Sequence, residues 1–184
     1  AYLKASTRAN PLTKLAIEFG VLTVARSGEV RGASWDEIIG DEWHLPAERT
    51  KQGRPHVVYL SSRALEILQE AKRLRSGSLI FWSAGQREMS DNTLNKSVKQ
   101  HYVELFGDGI ASADEIPTFH GFRASFKTWA EETEAPFSDR VVEAMQGHRV
   151  EASKVRAAYN RAKYIEQRRK LSQLWCDFVA GGQH

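Results

Sequence analysis

The spacing of apolar positions along the chain predicts a mainly helical protein. Apolar residues three or four apart predict a first helix over residues 12–25, and Pro11 near its start supports that boundary. The same spacing, with serine, threonine or glycine at several of the ends, predicts further helices. These cover about residues 62–75, 91–105, 119–131, 138–146, 151–160 and 164–180.

Between the first two of these helices, short apolar segments bounded by turn residues predict a small sheet. The candidate strands are SWDEII, GDEWHLP and PHVVYL, and the polar loop AERTKQGR places Lys51 before the last of them. The predicted fold class is therefore mainly α with a small three-stranded antiparallel β-sheet. We expect a single domain over residues 1–184, with residues 181–184 as a mobile tail.

Composition narrows the class of protein without identifying its partner. The chain has 184 residues, of which 41% are hydrophobic, and this suits one domain with its own core. Its net charge of +3 and its pI near 9.0 are mildly basic. A charge of this size does not by itself indicate a polyanionic partner.

Several classes of protein are disfavoured by what the sequence lacks. The single cysteine, Cys176, cannot form an internal disulfide and lies among apolar residues, which predicts a packing role in a cytoplasmic protein. No apolar run approaches the ~20 residues of a membrane span, and no signal peptide is recognisable. Without a CxxC, HExxH or glycine-rich phosphate loop, we expect neither a metal nor a nucleotide cofactor.

A set of reactive side chains is spread over the chain in a defined order. It comprises Arg26 in ARSGEV, Lys51, the HxxR pair His120 and Arg123, His148, and Tyr159 in VRAAYN. Arginine presents a planar fork of donors that fits two phosphate oxygens. A tyrosine phenol, with a pKa near about 10, needs a base for its proton and cations beside the phosphorus that it attacks. The set can therefore hold a phosphodiester, move protons around it and attack it.

This order resembles the tyrosine recombinases, also called phage integrases. The resemblance runs from about Leu12 to Trp175, and the segment VRAAYNRAKYIEQRRKLSQLW is similar to the ends of prophage and satellite-phage integrases. Two departures, HGFR where many members have HDLR and VYLS where many have VPLS, affect no side chain that the chemistry uses. The resemblance implies the fold of the tyrosine recombinase catalytic domain, here as a fragment of a longer integrase.

The resemblance also implies how the scissile phosphate is bound. Arg26 and Arg123 would clamp its oxygens, with Glu29 fixing the turn beside Arg26, and His148 would donate to a non-bridging oxygen. His120, on the same helix face as Arg123, would accept the tyrosine proton or hold it by a hydrogen bond. Each residue also has a purely structural alternative. Arg26 would form an ordinary ion pair with Glu29, His148 would interact with the dipole at a helix end, and His120 would be buried and bonded to the backbone.

Proton donation and attack would fall to the remaining two residues. Lys51 would protonate the departing 5′ oxygen; the alternative is a solvated turn lysine, with Arg49 and Arg54 as neighbouring cations that could take the role. Tyr159 would be the nucleophile, because the family separates its second histidine from the tyrosine by about nine to eleven residues. Tyr164, at sixteen, would instead pack the last helix.

The implied activity is site-specific DNA recombination that needs no metal, ATP or other cofactor. Attack by Tyr159 would give a 3′-phosphotyrosine and a free 5′ hydroxyl. The implied partners are double-stranded DNA at attachment sites, other protomers in a synaptic tetramer and DNA-bending accessory proteins. We expect association with the nucleoid and none with a membrane. The apolar face of the last helix would dock on a neighbouring protomer or on its own core.

Three other functions fit parts of the same set. A type IB topoisomerase shares the chemistry but relaxes supercoils, and the integrase-like C-terminal segment argues against it. A non-catalytic DNA-binding module would need none of the reactive side chains, all of which are present. A metal-free phosphodiesterase would use histidine and lysine without a tyrosine, so a covalent protein–DNA adduct separates it from a recombinase.

Overall fold

The computed structural model describes residues 10–107, 112, 116–133, 137–148 and 154–181, and leaves the side chains of residues 154–163 outside that description. Its helices are α1 (Pro11–Thr23), α2 (Ser27–Arg31), α3 (Ser62–Arg73), α4 (Thr93–Phe106), α5 (Gly121–Glu132), α6 (Asp139–Met145) and α7 (Lys154–Val179). Its strands are β1 (Ile38–Ile39), β2 (Glu42–Leu45) and β3 (His56–Tyr59). The predicted fold class, mainly α with a small antiparallel sheet, is confirmed.

Most of the predicted helices are present with small shifts of their ends. The clearest difference is at the C-terminal end, where one continuous helix, α7, replaces the two helices predicted over residues 151–160 and 164–180. No glycine or proline lies between Lys154 and Val179, so nothing in this segment interrupts the helical hydrogen bonds. The short helix α2 is not among the predicted elements, because five residues are too few to show a helical period.

The sheet has the strand order β1-β2-β3 with antiparallel pairing, which places Lys51 in the connection before β3 as predicted. The first predicted strand, SWDEII, is wrong over most of its length, because residues 35–37 form a 3-10 turn and β1 keeps only two residues. The Glu37 carboxylate accounts for the turn. Its Oε2 accepts bonds from the Ser34 main-chain N–H at 3.2 Å and from the buried Trp43 indole N–H at 2.9 Å.

Helix α1 lies in the centre of the core and ends beside the candidate site. Phe19, which is fully buried, lies between Trp43 and Phe81, with ring centroids 5.2 and 5.4 Å away. The helix ends at Val24, whose φ of 55° is in the left-handed region that β-branched residues rarely adopt. This turn directs the chain into α2 and leaves the Val24 carbonyl free to accept a bond from α5.

Of the two docking options for the last helix, the structure has α7 packed on its own chain. The Trp175 indole N–H donates to the Val21 carbonyl at 2.8 Å, and the Ser172 hydroxyl donates to the Tyr59 carbonyl at 2.8 Å. The helix that carries Tyr159 is therefore fixed to α1 and β3 of the same protomer.

Two further expectations concern the surface and the core. Cys176 is buried with a free thiol, which confirms its packing role. Among the described residues, no helix is both long and apolar enough to cross a membrane.

Candidate active site

An open cleft of about 210 Å³ lies where the start of α2, the connection before β3, the end of α6 and the middle of α7 meet. Its lining contains three arginines and a single carboxylate, so its charge is positive. The lining residues are Arg26, Glu29, Thr50, Gln52, Arg54, Pro55, His56, Ala144, Gly147, His148 and Arg168.

Arg26 is held at the edge of this cleft by Glu29. Arg26 directly precedes α2, and its main-chain N–H donates to Glu29 Oε2 at 2.7 Å while its guanidinium Nη1 donates to Glu29 Oε1 at 2.9 Å. Glu29 is itself buried, so the pair has little freedom to rotate. The predicted contact between the two residues is thus present, and it fixes the guanidinium where an anion can reach it.

Arg123, on α5, is not among the residues that line the cleft, but it contacts His148 from behind them. It is 7% exposed, and its guanidinium donates to the Val24 carbonyl and, from Nη2, to the Gln146 carbonyl at 2.9 Å. Burial, and then the charge of Arg26, lowers the pKa of Arg123 to about 10, which leaves the guanidinium charged at neutral pH. A buried cation bonded to carbonyls rather than to a carboxylate retains most of its attraction for an anion.

His148 joins the two arginines at the turn that follows α6. Gly147 turns the chain with a φ of 71°, and the His148 main-chain N–H donates to the Glu143 carbonyl at 2.9 Å. The imidazole Nδ1 hydrogen-bonds the Glu143 carboxylate, and Nε2 lies 3.4 Å from Arg123 Nη2. The structure therefore brings Arg26, Arg123 and His148, which are far apart in sequence, to one place.

His56 is a residue of the cleft that the sequence analysis misses. Its ring packs against Gly147, where an added Cβ would lie 3.3 Å from the nearest ring carbon. Burial, and then the charge of Arg168, lowers the pKa of His56 to about 3, against a hydrogen bond to the Met145 main chain that favours the charged form. His56 is therefore a neutral side chain that connects β3 to the turn carrying His148.

Arg168 is the second residue that the sequence analysis misses. From α7, its Nη2 donates to the Val57 carbonyl and its guanidinium lies 4.8 Å from the centre of the Tyr59 ring. Burial lowers the pKa of Arg168. No periodic pattern marks His56 or Arg168 in the sequence, because only the packing of α7 and α6 on β3 brings them together.

Lys51 lies at the rim of the cleft. It is exposed, whereas Thr50 and Gln52 on either side of it line the cleft. The Thr50 hydroxyl bonds to both main-chain groups of Arg54, at 2.7 Å to the carbonyl and 3.0 Å from the N–H, and so closes the loop.

The two neighbouring cations of Lys51 differ in what they contact. Arg49 forms an ion pair with Glu37 and donates from Nη2 to the Glu29 carbonyl at 2.6 Å, so it is engaged in the fold. Arg54 lines the cleft and is exposed. Arg54 is therefore the nearer rival to Lys51 as a proton donor.

His120 is placed differently from its HxxR partner. The Thr118 hydroxyl accepts a bond from the Gly121 main-chain N–H at 3.0 Å, which fixes the start of α5 and leaves His120 exposed just before it. Arg123, three residues on, is buried. The buried-histidine alternative is thus wrong, and the imidazole of His120 is not among the groups that line the cleft.

The two candidate tyrosines lie on α7. Tyr159 lies within the helical backbone, and its side chain is outside the described part of the structure. Tyr164 is half-buried against the hydrophobic core, which confirms its predicted packing role.

Comparison with known proteins connects this geometry to a family. The sequence profile of the phage integrase family matches residues 3–165. Among curated relatives, prophage integrase IntA of Escherichia coli (strain K12) is 36% identical over 172 residues, which cover 91% of this chain and 38% of that protein. Prophage integrase IntZ of the same strain is 34% identical over 182 residues, covering 97% and 42%. The integrase of Enterobacteria phage P4 is 28% identical over 193 residues, covering 95% and 42%.

Solved structures agree on the fold. The lambda integrase catalytic core superposes with a TM-score of 0.61 at 21% identity, over 82% of this chain and 93% of that one. A lambda integrase tetramer bound to a Holliday junction gives a TM-score of 0.63 at 20% identity, over 83% and 45%. The chain spans less than half the length of the curated relatives described above. By its sequence match and by its relatives, the chain belongs to the phage integrase family, the tyrosine recombinases.

Proposed function

We propose that residues 1–184 form the catalytic domain of an enzyme for site-specific DNA recombination, integrating or excising a mobile element. One observation carries this proposal: Arg26 and His148 line one positively charged cleft, and Arg123 lies behind them with its Nη2 3.4 Å from His148 Nε2. Two guanidinium groups and an imidazole suit a phosphodiester, whose charge grows as a fifth oxygen approaches phosphorus. Family membership supplies the reaction that this site would serve.

In the proposed reaction, Tyr159 attacks the scissile phosphorus. A bond forms between the phenol oxygen and phosphorus, and the bond from phosphorus to the 5′ oxygen breaks. The phenol proton passes to His120, and Lys51 supplies a proton to the departing 5′ oxygen. The product is a 3′-phosphotyrosine, a phosphodiester that replaces the one broken. A 5′ hydroxyl from a partner duplex can therefore attack it, join the two strands and release the Tyr159 phenol without ATP.

The positions of the residues divide the work between fixed and exposed groups. Arg123 and His148 are held by contacts within the protein before any ligand binds. Lys51 and His120 are exposed, so their productive positions would be set by the bound duplex. This division supports a site that is completed on DNA.

The proposed partners follow from the same reaction. Solved lambda integrase complexes include a dimer bound to a core site and a tetramer bound to a Holliday junction. For this chain we propose double-stranded attachment-site DNA, a synaptic tetramer of identical protomers and DNA-bending accessory proteins at the nucleoid.

The test is covalent trapping. The full-length protein is incubated with nicked duplexes of randomised sequence around the nick, and DNA that stays attached through denaturing electrophoresis is recovered and sequenced. We expect an adduct that forms equally in EDTA, enriched for one sequence. Cleavage that needs magnesium and leaves no adduct would contradict the proposal. Supercoil relaxation without exchange of strands between duplexes would favour a topoisomerase.

A further inference from the structure

A carboxylate that the proposed reaction does not use lies directly behind His148. Glu143, on α6, hydrogen-bonds His148 Nδ1 through Oε2. Its other oxygen, Oε1, accepts a bond from Lys127 Nζ of α5 at 3.0 Å. The same residue also holds the backbone of the turn, since its carbonyl accepts the His148 main-chain N–H at 2.9 Å.

The charge of Glu143 suits it to orient an imidazole. The hydrogen bond from His148, and then the one from Lys127, keep the pKa of Glu143 below its ordinary value, although partial burial opposes this. Glu143 is thus a carboxylate and only an acceptor at neutral pH. An imidazole beside it must carry its proton on Nδ1, which leaves Nε2 on the side of Arg123.

We propose that Glu143 is a positioning residue for the recombination reaction. Its carboxylate, held by Lys127, fixes the ring of His148 so that Nε2 faces Arg123 and the proposed position of the scissile phosphate. This inference rests on the proposed function. A carboxylate behind a working histidine is a general way to set ring orientation and tautomer. When both ring nitrogens carry protons, Nδ1–H stays on Glu143 and Nε2–H points at a phosphate oxygen.

If the role of Glu143 were purely structural, removing its carboxylate would mainly lower the stability of the fold. Lys127 is 49% exposed and Glu143 29% exposed, and ion pairs of that exposure add little to stability. The main-chain part of the contact survives any substitution of the side chain. Removing the carboxylate should therefore change the behaviour of His148 and leave the fold nearly unchanged.

Histidine ring NMR tests the positioning directly and needs no DNA. In the wild-type protein, ¹⁵N shifts should show His148 protonated at Nδ1. Glu143→Ala should give a mixture of tautomers, whereas Glu143→Gln should keep the Nδ1–H form because its amide oxygen still accepts. Glu131→Gln is the matched control, since Glu131 is a carboxylate of α5 that lines the neighbouring groove beside Glu143. Unchanged His148 shifts in Glu143→Ala would overturn the proposal.

A double-mutant cycle then connects position to chemistry. At saturating DNA, Glu143→Ala should slow adduct formation by about 10- to 100-fold, below the ~10²–10³-fold typical of losing a whole donor. Glu143→Gln and Lys127→Met should each slow adduct formation less than Glu143→Ala does. The double variant Glu143→Ala/His148→Ala should be no slower than His148→Ala alone, whereas multiplied losses would show that Glu143 acts elsewhere. If the wild type forms no adduct, the proposed function fails, and the NMR result still decides the positioning.

Discussion

Arg123 and Lys51 are two cations assigned to one reaction, and the protein holds them in opposite ways. Arg123 is 7% exposed and donates to carbonyls at the end of α1 and the end of α6. Lys51 is exposed in the connection before β3. The proposed phosphate clamp is therefore built by folding, while the proposed proton donor remains on a surface loop.

This contrast indicates which residues of the proposed reaction the fold holds in place before DNA binds. A clamp gains most from rigidity, because donors that are already oriented lose no free energy to reorganisation when charge develops. A proton donor needs to meet the leaving oxygen at one stage of the reaction, and a loop can supply that motion. Substitutions of Arg123 should accordingly affect both activity and stability, whereas substitutions of Lys51 should affect activity alone.

Arg123→Ala should have the largest effect and should damage both activity and fold. Losing one donor to the transition state costs about 10²–10³-fold in rate. The Val24 and Gln146 carbonyls also lose a partner, at about 1–3 kcal/mol for each buried acceptor left unsatisfied. Cleavage kinetics and urea unfolding measure the two effects. Arg26→Ala is the paired variant, and we expect a similar rate loss with a smaller loss of stability, because buried Glu29 loses the guanidinium but keeps the bond from the main-chain N–H at position 26; an Arg26→Ala that unfolds would show that this arginine is structural.

Lys51→Ala should damage activity without damaging the fold. We expect a loss on the order of 10²-fold in cleavage of an ordinary substrate, the lower end for a general acid. The loss should largely vanish when the 5′ oxygen is replaced by sulfur, which leaves without a proton. Lys72→Ala, another exposed lysine, is the control and should cleave both substrates normally. Equal defects of Lys51→Ala on both substrates would transfer the acid role to Arg54.

Gly147→Ala should destabilise the turn between the two sides of the site. Gly147 has a φ of 71°, and an added Cβ would press on the His56 ring at 3.3 Å. We expect a loss of about 1–3 kcal/mol in the free energy of unfolding. Gly53→Ala is the matched control, because Gly53 has a φ of 62° and nothing within 4 Å of the added carbon. Equal losses in the two variants would show that the close approach of the added carbon to the His56 ring does not affect the free energy of unfolding.

The neutral state of His56 should make stability depend on pH. The folded protein holds the pKa of His56 at about 3, whereas the unfolded chain has the ordinary value near 6.5. Between these pH values the unfolded state therefore binds more protons than the folded state. The contribution of neutral His56 to the free energy of unfolding is complete above about pH 6.5 and is lost as pH falls toward 3. His56→Gln should flatten the slope by no more than about 1.4 kcal/mol per pH unit. An unchanged slope in urea unfolding from pH 7 to 4 would contradict this.

The sequence was sufficient to predict the fold class, the position of Lys51 in the loop between the last two strands, and the contact of Arg26 with Glu29. Each of these depends on local spacing: alternating strands around a polar loop, or two residues three apart at a helix start. The HxxR pair shows what local spacing does not predict. His120 and Arg123 are also three apart, but one is exposed and the other buried, because packing against α1 and α6 decides burial.

The remaining parts of the site depend on contacts between distant segments. His56, Arg168 and Glu143 meet the cleft or its histidine only because β3, α7 and α6 pack together. In the sequence, each is an ordinary residue of an ordinary strand or helix. The predicted break between residues 160 and 164 was wrong, because the local pattern alone does not show that two helical segments continue into one, α7.

The central claim is that Tyr159 attacks DNA at the cleft that Arg26 and His148 line, with Arg123 behind them, and one comparison tests it most directly. The full-length Tyr159→Phe and Tyr164→Phe variants are incubated with the nicked duplex that the trapping experiment selects. We expect Tyr159→Phe to bind DNA normally and form no adduct, because it lacks only the attacking oxygen, while Tyr164→Phe forms the adduct. An adduct that persists in Tyr159→Phe and disappears in Tyr164→Phe would contradict the account.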